Sequence, residues 1–238
     1  MDYKYNAIIL EKRDVGEADR LYTFYAKESG RTKALGKGVR RPNAKLAGNL
    51  EPITQSEIFI AKSRGLGKIT GAISVENFPH IKTDIEALEK IGAVFKVFNK
   101  IVGEQEQDEN IFAILLGFLK GMEKLSSEEN GANKMDILVL GFLFKLLSEM
   151  GYRLEVERCV HCAKKLEPAD NYFSPAKGGV LCRDCHQQES KRIKISPEAI
   201  KLIRIFLKNK MESLAKLQVA QKDVNNLKIV AQEAVNWL

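Results

Sequence analysis

The sequence predicts an α+β, multidomain chain in which a small β-barrel is followed by an α-helical bundle with a cysteine-rich ribbon set into it. Three observations lead there. Apolar residues alternate in short runs between glycine turns through residue 80, and beyond it they recur at helical spacing. All four cysteines fall in one 27-residue window, as Cys159-x2-Cys162 and Cys182-x2-Cys185 with nineteen residues between the pairs. At 238 residues the chain exceeds one average domain, so two or three units fit. The expected division is a barrel over 1–80 and a helical domain over 81–238, with the ribbon at about 155–192.

The barrel strands are read from β-branched and aromatic residues in alternation. Tyr3–Leu10, Arg20–Tyr25, Ile58–Ile60 and Ile69–Val75 carry that pattern, and turn signals at Gly16, Gly30, Gly36-Lys37-Gly38 and Gly65-x-Gly67 separate them. About five short strands fit into 80 residues, the size of an OB-fold, a barrel class that commonly binds single strands.

After Asn77-Phe78-Pro79 the period changes. Ile85, Leu88, Ile91, Phe95, Phe98 and Val102 share one helical stripe, and Ile111, Ile114, Leu115, Phe118, Met122 and Leu125 make a second. The acidic run Glu104, Glu106, Asp108 and Glu109 between them reads as a solvated loop that places charge at the next helix start. A third helix, about 134–150, is apolar on most faces and is expected at the centre of the bundle, ending at Gly151. Ser196-Pro197-Glu198 is a helix start, with serine as N-cap and proline at the first position. Of its basic residues, Lys201, Arg204, Lys208 and Lys210 make either a second basic contact or an ordinary solvated face. A last helix runs from Asp223, and Trp237 is expected to pack into the bundle.

Each Cys-x2-Cys closes a tight loop that aims two sulfurs at one point, and two such loops complete the tetrahedral shell of a structural Zn2+ ion. Cys159, Cys162, Cys182 and Cys185 are therefore the expected metal ligands, for one zinc. His161 and His186 are rival ligands whose simpler reading is a surface imidazole. Met1-Asp2-Tyr3-Lys4 does not open a cleaved-type signal sequence, so a reduced, cytoplasmic setting is expected over two disulfides. A zinc ion with four protein ligands has no open position for water or substrate, so the motif argues for structure and against metallo-catalysis.

Net charge is +7, unevenly spread: residues 81–150 carry −4, while 1–80 carry +5 and 151–238 carry +6. The window 31–68 alone holds nine basic residues against Glu51 and Glu57. Such an excess attracts polyanions, nucleic acid being the commonest. Other classes lack an anchor. Gly65-x-Gly67 has the wrong spacing for a dinucleotide loop, and Lys68 is followed by Ile69 with Lys62 at the glycine position of a phosphate loop. With His80, His161 and His186 as the only histidines and no nucleophile elbow, no enzymatic activity and no small-molecule substrate are expected. The longest apolar stretch, 137–147, is too short to span a bilayer, so no membrane role is expected.

The ordered set Val15-Gly16-Glu17-Ala18-Asp19-Arg20, Glu28-Ser29-Gly30-Arg31, Leu35-Gly36-Lys37-Gly38-Val39-Arg40-Arg41-Pro42, Leu50-Glu51-Pro52 and Ser63-Arg64-Gly65-Leu66 resembles the bacterial recombination mediator family RecO. The downstream Gly151-Tyr152, Tyr172-Phe173-Ser174 and Gly178-Gly179-Val180-Leu181-Cys182, with the other cysteines, resemble its zinc segment, so the likeness covers nearly the whole chain. The resemblance implies an N-terminal OB-fold, a helical domain with a zinc finger, and a cytoplasmic, nucleoid-associated protein that binds single- and double-stranded DNA and anneals complementary strands. It further implies contact with single-strand-binding protein and, with RecR, help in loading RecA, without catalytic turnover. The expected DNA contacts are Arg31, Lys33, Lys37, Arg40, Arg41, Lys45, Arg64 and Lys68. Some members of the family lack the cysteines, so the implied role of zinc is stability. Many carry a basic tail past the last helix; the sequence ends at Trp237-Leu238, and no contact is assigned to such a tail. The alternative is a zinc-ribbon module that binds RNA or serves transcription or translation.

Overall fold

Ile8-Ile9-Leu10 is a continuous apolar run inside an alternating strand, and its cause is that the strand is buried on both sides. In the computed structural model, which describes residues 2–42, 44, 46–61, 65–129, 131–152 and 154–237, Ala7 and Ile9 face the barrel interior while Ile8 and Leu10 join the core of the helical half. This strand, β1 (Asp2–Val15), pairs antiparallel with β2 (Asp19–Ala26) and, on its other edge, with β4 (Gln55–Ala61). β3 (Gly30–Gly36) pairs with β2, β5 (Gly67–Glu76) with β4, and a short parallel register, Ala34 with Gly67 and Leu35 with Lys68, closes the sheet. The result is a closed five-stranded barrel in the order β1-β2-β3-β5-β4, as the sequence predicts. Tyr22, Phe24, Ile58, Ile60 and Ile69 fill it, joined by Val39 and Leu50 from the long β3–β4 connection.

Helices follow as expected, with two short additions, one ahead of the bundle and one near its end. A five-residue turn, α1 (Pro79–Thr83), precedes α2 (Ile85–Ile101), α3 (Glu109–Ser126) and α4 (Ala132–Glu149). Asp84 caps α2 through Ala87 N, and Asp108 caps α3 through Asn110 N and Ile111 N, satisfying amides that have no partner within the helix. α4 is buried on most faces, with Leu138, Phe142, Phe144 and Leu146 sealed from solvent, which fits its all-round apolar sequence. Phe142 contacts Phe118 at 4.8 Å and Phe98 at 6.3 Å, and Phe98 meets Tyr25 of β2 edge-on at 5.2 Å, so one aromatic chain ties bundle to barrel.

The ribbon consists of β6 (Asn171–Ser174) and β7 (Gly179–Leu181), with a third strand, β8 (Ile193–Ile195), on the far edge of β6. That strand lies just past the expected limit near 192, and three residues are too few to show a period. Beyond it come α5 (Pro197–Lys208), capped by Ser196 through Ala199 N, then α6 (Met211–Leu214) and α7 (Gln221–Asn236). Trp237 corrects its expectation: it follows the end of α7 and is 56% exposed, because the inner stripe of that helix ends on Val235. Among the described residues no helix is long and apolar enough to cross a membrane.

Candidate metal centre and nucleic-acid face

The two cysteine loops arrive at one point. Ala163 N–H donates to the Cys159 carbonyl at 2.9 Å, and Ala163 takes positive φ (59°) to complete the first turn. In the second, Cys185 N–H and His186 N–H donate to the Cys182 carbonyl at 3.1 and 3.2 Å. The Sγ atoms of Cys159, Cys162, Cys182 and Cys185 all lie within 4.8 Å of one another. Cys162 and Cys182 are 3.9 Å apart, far beyond a disulfide at about 2.05 Å and close to the roughly 3.8 Å that tetrahedral metal–sulfur bonds of about 2.3 Å impose. The donor set therefore fits a four-coordinate metal ion.

Backbone amides prepare the sulfurs for it. Cys182 N–H and His161 N–H point at the Cys159 sulfur at 3.4 and 3.5 Å. Burial disfavours the Cys159 thiolate, but amide hydrogen bonds from Cys162, Cys182 and His161 outweigh burial and bring the thiol down to about 6. Burial, together with the neighbouring sulfurs, pushes Cys185 up to about 12. The histidines stand outside the cluster. His161 is exposed, and His186 bonds the Arg183 carbonyl through Nδ1 at 2.6 Å while its ring stacks on Tyr172 at 4.2 Å.

The expected basic residues divide into two groups along β3. Arg31 sits at its start, Lys33 at its middle and Lys37 past its end, so Arg31 and Lys37 are separated by about 20 Å of strand. Lys45 and Arg64 lie outside the described residues. Lys37 and Arg41 past its far end, and Lys68 on β5, are exposed and form no ion pair among the described residues; Lys68 pairs in register with Leu35, midway between Lys33 and Lys37. Arg40, on the same loop as Lys37 and Arg41, has its Nε 3.3 Å from the Asp14 carboxylate and one terminal nitrogen donating to the Gly16 carbonyl. Asp14, hydrogen-bonded by Arg20 and facing Arg40, is held below the usual carboxylate range.

The loop that carries these cations is not slack. Gly38 N–H donates to Asp19 Oδ1 at 2.8 Å and Arg40 N–H to the Ala18 carbonyl at 3.0 Å, pinning residues 37–41 to the β1–β2 turn. The backbone that carries Lys37, Arg40 and Arg41 is thus anchored.

The other group is occupied. The acidic run, expected to be a solvated loop, packs along β3: Gln105 N–H donates to the Arg31 carbonyl at 2.9 Å, and Glu104 pairs with Lys33. Tyr25 Oη donates to the Glu106 carbonyl at 3.1 Å, and burial pushes that phenol up to about 12. Gly30 permits the contact, since it takes positive φ (67°) and a Cβ there would stand 2.3 Å from the Glu106 oxygen. Asp108 does cap α3 as expected. Arg31 is half-buried with its Nε unpartnered, beside a pocket of about 160 Å³ that Lys33, Tyr5, Leu66 and Glu104 also line. Sequence reading did not reveal that Glu104 neutralises Lys33, because the two are 71 residues apart. The one available signal was opposite charge.

Comparison with known proteins gives a consistent result. The model for the N-terminal part of recombination protein O matches residues 1–78, and that for its C-terminal part matches residues 82–237. The DNA repair protein RecO of Roseiflexus sp. is 31% identical over 221 residues, covering 92% of this chain and 74% of its own. That of Dehalococcoides mccartyi strain 195 is 27% identical over 237 residues, covering 100% and 90%. RecO of Acetivibrio thermocellus is 28% identical over 233 residues, covering 98% and 90%.

Proposed function

Because the chain belongs to the recombination protein O family, we propose that it is a DNA repair protein that binds single- and double-stranded DNA and anneals complementary strands. In this reading it also acts with RecR on DNA coated by single-strand-binding protein and so helps to load RecA. The observation that carries the DNA reading is the set Lys37, Arg40 and Arg41 on the anchored loop after β3, with Lys68 on the neighbouring strand; Lys37, Arg41 and Lys68 form no ion pair among the described residues.

Annealing needs phosphates neutralised while base edges stay free to pair. Charged nitrogens on a pinned loop meet the backbone and leave the bases alone, so contact is independent of sequence. No catalytic turnover is assigned. The histidine outside the ribbon supports that, because His80 Nδ1 is 2.7 Å from Glu123, whose carboxylate also accepts His80 N–H and Ile81 N–H at the start of α1. That pair serves as a helix cap.

Cys159, Cys162, Cys182 and Cys185 would hold one zinc ion, which when bound supplies a closed tetrahedral crosslink. Its contribution is to structure, because Phe173 and Val180 of the ribbon belong to the same core as α4. The test is annealing of complementary oligonucleotides precoated with single-strand-binding protein. Acceleration over the uncatalysed rate is expected; no acceleration, with stronger binding to RNA of the same sequence, would sink the reading.

A further inference from the structure

A groove of about 470 Å³ opens between the end of α4, the β6–β7 turn and the end of α7. Leu147, Phe173 and Pro175 are its buried lining, Tyr152 and Trp237 line it while 50% and 56% exposed, and Lys177 stands beside them. The volume lies within the range of about 300–1,000 Å³ typical of small-ligand sites.

Local structure explains why both aromatics are left in water. α4 ends in a Schellman turn, in which Gly151 takes positive φ (83°), Tyr152 N–H donates to the Leu147 carbonyl at 2.8 Å and Gly151 N–H to the Ser148 carbonyl at 3.2 Å. That turn fixes the Tyr152 backbone at the groove. Trp237 follows the last turn of α7, where Ala234 also lines the groove and is too small to cover an indole. Single exposed aromatics are common on protein surfaces, but two of them from separate elements in one groove mark a binding surface.

We infer that this groove is a second contact for single-stranded nucleic acid, in which an unpaired base stacks against Tyr152 and Trp237 while Lys177 meets an adjoining phosphate. The occupant must be flat and apolar on its faces and anionic at its edge, and a nucleotide satisfies both. Every base offers a π-face, so the contact needs no particular sequence. The surrounding segment 151–238 carries +6, and Lys177 is only loosely held, 4.0 Å from Glu189, so a phosphate can displace that partner. At Gly151 and Gly178, which also line the groove, a Cβ would meet nothing within 4 Å, so the backbone there lies open to a sugar. With phosphates held on the barrel, a base site on the helical half gives the protein two separate holds on unpaired DNA. The inference rests on the DNA-binding reading above.

Trp237 is the only tryptophan of the chain, so its emission reports this groove directly. Full-length protein would be titrated with oligothymidylate and with a duplex of equal length, following indole emission and, in parallel, anisotropy of labelled DNA. Saturable quenching by oligothymidylate but not by duplex is expected, and it should persist at low salt when Lys37, Arg40 and Arg41 are all alanine. Tyr152→Ala should weaken single-strand affinity about tenfold, in line with the loss of one stacked base, with an unchanged circular dichroism spectrum and thermal midpoint. DNA binding by anisotropy without any indole change overturns the groove while leaving the DNA reading intact; no binding by either signal overturns both. Emission that shifts on dilution without DNA would assign the groove to a second copy of the chain and overturn the inference too.

Discussion

Replacing Lys37, Arg40 and Arg41 together with alanine separates phosphate binding from every other function of the barrel. Each single-strand phosphate neutralised contributes about −0.7 to the slope of log K against log salt, so the four barrel contacts, Lys68 included, and the Lys177 contact of the groove give a slope near −3.5. The triple variant keeps Lys68 and Lys177, and its slope should fall to about −1.4. Between 50 and 200 mM salt the parent protein would then lose about 130-fold in affinity and the variant about sevenfold. The fold should tolerate the change, because Lys37 and Arg41 are exposed and form no ion pair among the described residues, and Asp14 keeps Arg20 at 2.8 Å when Arg40 is removed. The loop's anchors are backbone amides of Gly38 and Arg40, which alanine retains. The assay is fluorescence anisotropy of a labelled oligothymidylate across a sodium chloride series, with Lys27→Ala, paired to Glu109, as the comparison. A slope that stays near −3.5 in the triple variant would falsify the assignment of this loop to DNA.

Glu104→Gln should release Lys33, steepening the salt slope by about 0.7 and tightening single-strand binding at low salt; unaltered anisotropy titrations would show that β3's start never meets DNA. Stripping the metal with a chelator, or Cys185→Ser, should lower the thermal midpoint, at about 2–4 °C per kcal/mol for a chain of this size, while leaving barrel-dependent DNA affinity within about threefold at a temperature where the chain stays folded. Acid should destabilise the bundle through Asp136. Burial opposes its charge, but hydrogen bonds from Lys228 and Lys90 outweigh burial and hold the carboxyl below the usual range. Such a group adds stability that is fully present above its unfolded pKa of about 3.9 and is lost as pH falls through the lower folded value. Asp136→Asn should therefore flatten the acid limb of a denaturation series, and identical limbs would count against that pairing.

Elements whose cause is local were legible in the sequence. The Ser196-Pro197 start, the Gly151 end of α4 and the four cysteines each follow from a few neighbouring residues, and the structure carries all three. What depended on residues distant in sequence was not legible. The acidic run 104–109 has a loop's composition and is one, but its docking on β3 is set by Gly30 and Tyr25, about eighty residues upstream. Arg31 and Lys33 looked equivalent to Lys37 and Arg41 by charge, yet one carboxylate and one strand edge make them different. β8 escaped notice because three residues on the edge of a ribbon leave no period to count, and Trp237 because a helical stripe does not say where the core beneath it stops.

The arrangement of the two cores bears on what the metal does for the protein. The barrel's interior cluster is self-contained, whereas the larger cluster runs from Cys159, Cys185 and Phe173 in the ribbon through α4 to Ile8, Leu10, Tyr25 and Ile53 on the outer face of the barrel. The sulfur cluster therefore sits at one end of a core whose other end is β1 and β2. A barrel cut away at residue 80 would expose Ile8, Leu10, Tyr25 and Ile53 and lose their burial, at about 1.5–3 kcal/mol for each fully buried large side chain. The cations on the 37–41 loop, however, hang from the β1–β2 turn, and their anchors are Ala18, Asp19 and Asp14, none of which belongs to the shared core. Loss of the ion should thus be felt in the stability of both halves through β1 and β2, while the phosphate-binding loop keeps its geometry for as long as those strands stay paired.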